Sequence, residues 1–159
     1  MKKLFLFAAV MLAGYGAMAQ TKADEVIKMD TEKIDFGKVK HNVPVSAFFT
    51  VTNVSDKNAF IENAWASCGC TTPEYSKAPI ATGGTTKIKV GYNSATIGKF
   101  EKDVFIKVSG VQEPKIVKIT GEVVEGSAYD AWTKTADYKK QEKAKLAQQG
   151  KLAKDVKKS

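Results

Sequence analysis

An all-β, Ig-like sandwich of about seven strands is the fold this sequence predicts. Three observations carry that expectation. Apolar and polar residues alternate at period two through most of residues 26–124. The alternating runs are short and are separated by clusters of Gly, Asn, Asp, Ser and Pro. No useful helical period precedes residue 127. One sheet alone would leave its apolar face in water, so two sheets packed face to face are the economical solution.

Residues 26–30 and 33–39 read as a bent first strand broken near Thr31. In the next run Val43, Val45, Ala47, Phe49 and Val51 alternate with Pro44, Ser46, Phe48, Thr50 and Thr52, a strand with a strongly buried face. Turn formers fill residues 53–58. Phe60 to Ala66 is a further strand, with Ile61, Asn63 and Trp65 expected on one face and Trp65 between the sheets beside the cysteines. Gly83-Gly84 reads as a turn before a strand whose inward residues are Thr86, Ile88, Val90 and Tyr92. Phe100 to Val108 turns Val104, Ile106 and Val108 inward. A hairpin-like turn at 109–114 leads to the last strand, 115–124, with Val117, Ile119 and Val123 inward.

The flanks of this domain differ from it. Lys2 and Lys3, the apolar run 4–13 and Ala17-Met18-Ala19 appear in the order of a secretory signal peptide, so residues 1–19 are expected to be cleaved. The run is shorter than the roughly 20 residues a membrane span needs. No Cys follows it, which excludes a lipid-modified precursor. The mature protein is thus expected to be secreted, periplasmic or extracellular, with a domain at 20–125 and a basic tail at 126–159. Residues 20–125 hold 14 Lys against 13 acidic residues, whereas 126–159 hold 9 Lys against 4. Within the tail Tyr129, Trp132 and Ala136 share a helical face, and a helix over 127–149 with a frayed end at 150–159 is expected. A segment so rich in Lys buries little apolar surface, which favours a solvated helix or disorder, with docking limited to a turn or two through Trp132.

All 25 basic residues are Lys. Without the planar guanidinium fork, specific nucleic-acid recognition is not expected. His41, the single His, stands in a turn, and nothing in the sequence places Asp35 or Asp56 beside it as a catalytic set. Gly83-Gly84 lacks the Lys-Ser/Thr of a phosphate loop. No cofactor is implied.

The remaining chemistry lies in Ser67-Cys68-Gly69-Cys70-Thr71-Thr72, read as a loop before Pro73, which holds both cysteines. Three readings stay open. An oxidising compartment permits a Cys68–Cys70 disulfide, with Gly69 easing a tight turn. So small a loop restrains the unfolded chain little, and an exposed bridge is readily reduced. Two thiolates could instead hold a soft metal such as Cu(I), although His41 and Met29 supply no ligand spacing and structural zinc wants four ligands. The thiols could also be inert. Compartment and ligand count favour the bridge.

Taken in order, Phe36-Gly37, Phe49-Thr50-Val51-Thr52-Asn53, Ser67-Cys68-Gly69-Cys70-Thr71, Lys89-Val90-Gly91-Tyr92-Asn93, Gly98-Lys99-Phe100 and Ile119-Thr120-Gly121-Glu122-Val123 resemble a secreted bacterial family, domain of unknown function 1573. The resemblance covers about residues 25–124, and its specific part is Cys-Gly-Cys-Thr with a following Pro and Gly-Gly. Many members carry Pro-Gly where Ala81-Thr82-Gly83-Gly84 stands here. The resemblance implies an Ig-like sandwich and no established activity. Two functions follow as expectations. One is a non-enzymatic binding or structural module of the cell envelope with a protein or glycan partner. The other is thiol redox or copper handling through Cys68 and Cys70.

Overall fold

The computed structural model describes residues 21–156; the expected signal segment, 1–19, and the last residues of the tail, 157–159, lie outside them. After a single helical turn, α1 (Ala23–Val26), eight strands follow: β1 (Ile27–Met29), β2 (Lys33–Lys40), β3 (Val45–Asn53), β4 (Ile61–Ala66), β5 (Thr71–Tyr75), β6 (Thr85–Tyr92), β7 (Gly98–Val108) and β8 (Lys115–Val124). Two helices close the chain, α2 (Gly126–Trp132) and α3 (Ala136–Val156). The strands form two four-stranded sheets, β1-β3-β6-β5 and β2-β8-β7-β4. All pairings are antiparallel except β2 with β8. Among the described residues no helix is long and apolar enough to cross a membrane.

The period-two pattern builds the core as expected. Phe49, Val51, Ile88 and Val90 from one sheet meet Val104, Ile106, Val108, Val117, Ile119 and Val123 from the other, all buried. Val43 departs from the pattern: it precedes β3 and is 47% exposed. The break near Thr31 is a change of sheet, since β1 pairs with β3 and β2 with β8. Lys115, nearly buried, ties this segment down by an ion pair to Asp24 at 2.6 Å and another to Glu32. Burial pulls its ammonium toward a lower pKa, but the hydrogen bonds it donates to Asp24 and Glu32 outweigh that and hold the pKa above the usual lysine value.

Two bulges revise the faces that simple alternation predicts. In β4 a register shift between Ile61 and Asn63 inserts a residue. Ile61 therefore points inward, while Asn63 and Trp65 point outward, and Trp65 is 40% exposed rather than packed between the sheets. In β2 a shift between Asp35 and Lys38 keeps Ile34, Phe36 and Val39 all buried. Gly37 supplies the left-handed φ of +63° that this bulge requires.

The β2 bulge also receives the tail. Gln141 of α3 donates from Nε2 to the Phe36 carbonyl at 2.7 Å and accepts from the Lys38 amide at 3.2 Å. A side-chain amide thus satisfies backbone groups that the bulge withdraws from the ladder. Lys40 pairs with Asp130 at 2.9 Å, and the Lys38 ammonium stands 5.9 Å from the Trp132 ring centre. Trp132 packs against Tyr129 and Tyr138, with ring centres 5.5 Å and 5.3 Å away. The tail is therefore helical and docked beyond the turn or two expected. Its single predicted helix is split where Thr133 and Thr135 donate their hydroxyls to the closing carbonyls of α2, those of Asp130 and Trp132. α3 continues through Gly150 to Val156.

Asn53 ends β3 fully buried and fully bonded. Its Nδ2 donates to the carbonyls of Lys57 and Ile80 at 2.7 and 2.8 Å, and its Oδ1 accepts from the amide and hydroxyl of Ser55. One side chain thereby fixes the 54–58 turn and the segment before the Gly83-Gly84 turn. Replacing Asn53 by Ala is expected to destabilise the domain by about 2–3 kcal/mol, because buried polar groups lose partners. Asn53→Asp is expected to be no better, since it sets a carboxylate against two carbonyls; urea unfolding of both variants checks this.

Candidate functional site

The Cys-Gly-Cys segment occupies the corner where the chain leaves one sheet for the other. β4 closes one sheet and β5 closes the facing one, with only Ser67, Cys68, Gly69 and Cys70 between them. β5 begins at Thr71, inside the segment the sequence predicts as loop before Pro73; Pro is foreign to an interior strand, but β5 lies at a sheet edge, where it is tolerated. The sulfurs of Cys68 and Cys70 stand at disulfide distance, with Cα atoms 5.3 Å apart, inside the range a disulfide spans.

The surrounding motif residues are structural in position. Ser67 prolongs the β4–β7 ladder by one pair: its amide donates to the Asp103 carbonyl at 3.0 Å and its Oγ accepts from the Asp103 amide at 3.3 Å. Thr71, buried, donates its amide to the Cys68 carbonyl at 3.3 Å, and its Oγ1 lies 3.7 Å and 3.8 Å from the two sulfurs. The Asn93 amide donates to the Cys70 carbonyl at 3.1 Å, which ties the corner to the end of β6. Gly69 corrects an expectation. Its φ is not left-handed and a Cβ there would meet nothing within 4 Å, so the turn does not need glycine for room. What glycine leaves is an open approach at the exposed tip.

His41 is not brought to the cysteines as a ligand; its Nε2 lies 3.2 Å from the Ala95 carbonyl. Among the described residues no three His, Cys, Asp or Glu side chains gather as a metal site.

The structure adds a second feature beside this corner. Trp65 on β4, Phe105 on β7 and Ile116 on β8 are register partners across three strands. All three point to the outer face of their sheet. Trp65 is 40% and Ile116 48% exposed. The Trp65 and Phe105 rings stack with centres 5.4 Å apart and planes 11° apart. A polar band borders this row: Lys118 pairs with Glu101 at 2.7 Å and Asp103 at 3.1 Å. These hydrogen bonds hold the Lys118 ammonium above its usual pKa, and the bond from Lys118 holds the Glu101 carboxyl below its own. Sequence reading had the signal for Phe105 and Ile116. Both are large apolar residues at outward positions of strands whose inward residues were correctly identified. Trp65 was hidden by the β4 bulge.

Comparison with solved structures places the fold. A protein of unknown function from Porphyromonas gingivalis W83 superposes with a TM-score of 0.54 at 16% identity, over 61% of this chain and 46% of that one. The ASH/PapD-like domain 7 of human CEP192 gives 0.52 at 9% identity, over 73% of this chain and 98% of that one. The VesB protease of Vibrio cholerae gives 0.50 at 16% identity, over 64% and 33%. The chain thus spans less than half of the Porphyromonas protein and a third of VesB, and the likeness is one of fold: an Ig-like, PapD-like sandwich. No curated protein matches the chain. The family model described as "Protein of unknown function (DUF1573)" matches residues 27–123, from the start of β1 to Val123 near the end of β8, and the chain belongs to that family.

Proposed function

We propose that this protein is an exported, non-enzymatic binding module of the cell envelope. Its contact surface is the outer face of the β2-β8-β7-β4 sheet, and the Cys68–Cys70 bridge is a clamp on the corner beside it. Export rests on the amino-terminal sequence: Lys2 and Lys3, the apolar run and Ala17-Met18-Ala19. The observation that carries the binding role is the Trp65–Phe105–Ile116 row, three large apolar side chains aligned on a solvent-facing sheet and bordered by charge. Such a patch with a polar rim is the anatomy of a protein contact, with Trp the residue type most enriched at its centre. Phe48, on the other sheet, is exposed to a similar degree, but the Lys87 ammonium stands 6.0 Å from its ring centre. A protein partner is preferred to a glycan because Trp65 and Phe105 each give one ring face to the other, leaving less flat aromatic surface for a sugar.

A second reading, thiol exchange or soft-metal (copper) binding through Cys68 and Cys70, draws on the open approach at Gly69 and the Thr71 hydroxyl near both sulfurs. The clamp reading is preferred because the pair sits at the sheet-to-sheet crossing.

Photo-reactive residues placed at Phe105 and Ile116 are expected to give envelope-protein adducts in cells, and the same residue at Lys28 on the opposite sheet to give none. Equal labelling at all three positions overturns the surface assignment. On protein taken from its native cells, alkylation is expected to add mass at the cysteines only after reduction. The Cys68→Ser, Cys70→Ser variant is expected to stay folded and to lose about 1–2 kcal/mol, the scale for so short a loop. Immediate alkylation of both thiols, or a co-purified metal ion that blocks them, overturns the bridge and leaves metal handling or inert thiols as the leading account.

A further inference from the structure

We infer that a second copy of the chain joins through the β4 edges, so that two sheets run together as one and the apolar row on this face is doubled in length without being covered. The inference rests on the reading of the outer face as the contact surface.

The two sheets end in four edge strands, β1, β5, β2 and β4. β1 offers three residues, β5 carries Pro73 at its centre, and β2 is bulged and occupied by Gln141. Each of these is a recognised protection against strand pairing. β4 has its bulge only at the start, between Ile61 and Asn63. From Asn63 to Ser67 the sequence Asn-Ala-Trp-Ala-Ser has neither charge nor proline.

The hydrogen-bond phase of that segment is fixed by its pairing with β7. The Ser67 amide donates to the Asp103 carbonyl, so Ser67 and Asp103 form a hydrogen-bonded pair. Antiparallel alternation makes Trp65 and Phe105 the next such pair and turns the N–H and C=O of Ala64 and Ala66 away from β7. At the bulge, the Glu62 carbonyl points off the edge and accepts from the Tyr75 hydroxyl at 3.2 Å. Beyond Glu62 the edge offers its donors and acceptors at Ala64 and Ala66.

Those two residues are complementary to themselves. A two-fold axis through Trp65 sets Ala64 opposite Ala66 of the second copy, and all four residues meet in hydrogen-bonded pairs. Trp65 then faces Trp65 of the second copy as a non-hydrogen-bonded pair, the closer of the two geometries, with Cα atoms about 4.5 Å apart. The apolar row becomes continuous across the axis, from Ile116 through both tryptophans to the other Ile116.

Charge favours this occupant. No like charges oppose one another along 63–67. Residues 20–125 are close to neutral, with 14 Lys and 13 acidic residues. The Lys-rich helices dock at β2, the far edge of the same sheet, so the axis keeps the two basic tails apart.

Sedimentation of the protein purified from its native cells tests this. The wild type is expected to be a dimer at micromolar concentration. Trp65→Lys is expected to weaken it by about 100-fold or more while circular dichroism and the melting midpoint hold, since the side chain is outward and each dimer loses two anchors. Trp65→Cys is expected to give a covalent dimer in oxidising buffer, with a 65–65 link found by peptide mapping, because the paired Cα atoms fall within disulfide range. A dimer that survives Trp65→Lys overturns the inference, as does a monomeric wild type whose Trp65→Cys variant forms no such link. If that monomer still gives adducts to another protein from positions 105 and 116, the second copy is wrong and the binding-module reading stands. If it gives none, both fall.

Discussion

The chain must cross from the sheet ending in β4 to the sheet ending in β5 within four residues, and much of the molecule is arranged around that crossing. Two facing sheets are stable only if their apolar faces stay opposed, and a short connection at one side holds those edges in register. Ser67 prolongs one ladder, Thr71 begins the other, and the Cys68–Cys70 pair closes the turn between them. Tyr75 bridges the same two edge strands further along, through Glu62 and Asn63. The cysteine motif thus occupies an architectural position at the sheet-to-sheet crossing. The exposed β4 strand follows from the same constraint, because a strand that must hand the chain across at once sits at a sheet edge.

Two polar side chains extend this logic. Asn53 and Gln141 each stand in for a missing stretch of backbone ladder: Asn53 at a turn that leaves a strand, Gln141 at a bulge within one. In both cases an amide side chain supplies one donor end and one acceptor end where the main chain has lost its neighbour. These contacts are specific without adding apolar burial. They explain how a Lys-rich helix can be seated on a domain that offers it little hydrophobic surface.

The inward faces were legible because strand period is strict. Phe49, Val51, Ile88, Val90, Val104, Ile106, Val108, Val117, Ile119 and Val123 lie where alternation puts them. The fold class followed from the same residues, and the family resemblance agreed with it. Alternation failed at the β4 bulge, where one inserted residue reversed Trp65 and hid the outward row. Pro73 hid β5, since its edge position depends on tertiary pairing that no local signal reports. The seating of α3 was invisible because it depends on a polar side chain meeting backbone groups, which leaves no hydrophobic period. At the site, the sequence singled out the cysteine pair but not the sheet-to-sheet crossing on which it sits.

Hydrogen exchange before and after reduction of the purified protein tests the clamp most directly. The account predicts faster exchange confined to residues 64–72, with β3, β6, β7 and β8 keeping their protection, because the bridge restrains a corner and the facing sheets carry the core. Loss of protection throughout the domain would contradict a local clamp by making the pair essential to the fold. Unchanged exchange at 64–72 would show that the bridge restrains nothing and would return Cys68 and Cys70 to redox or metal chemistry.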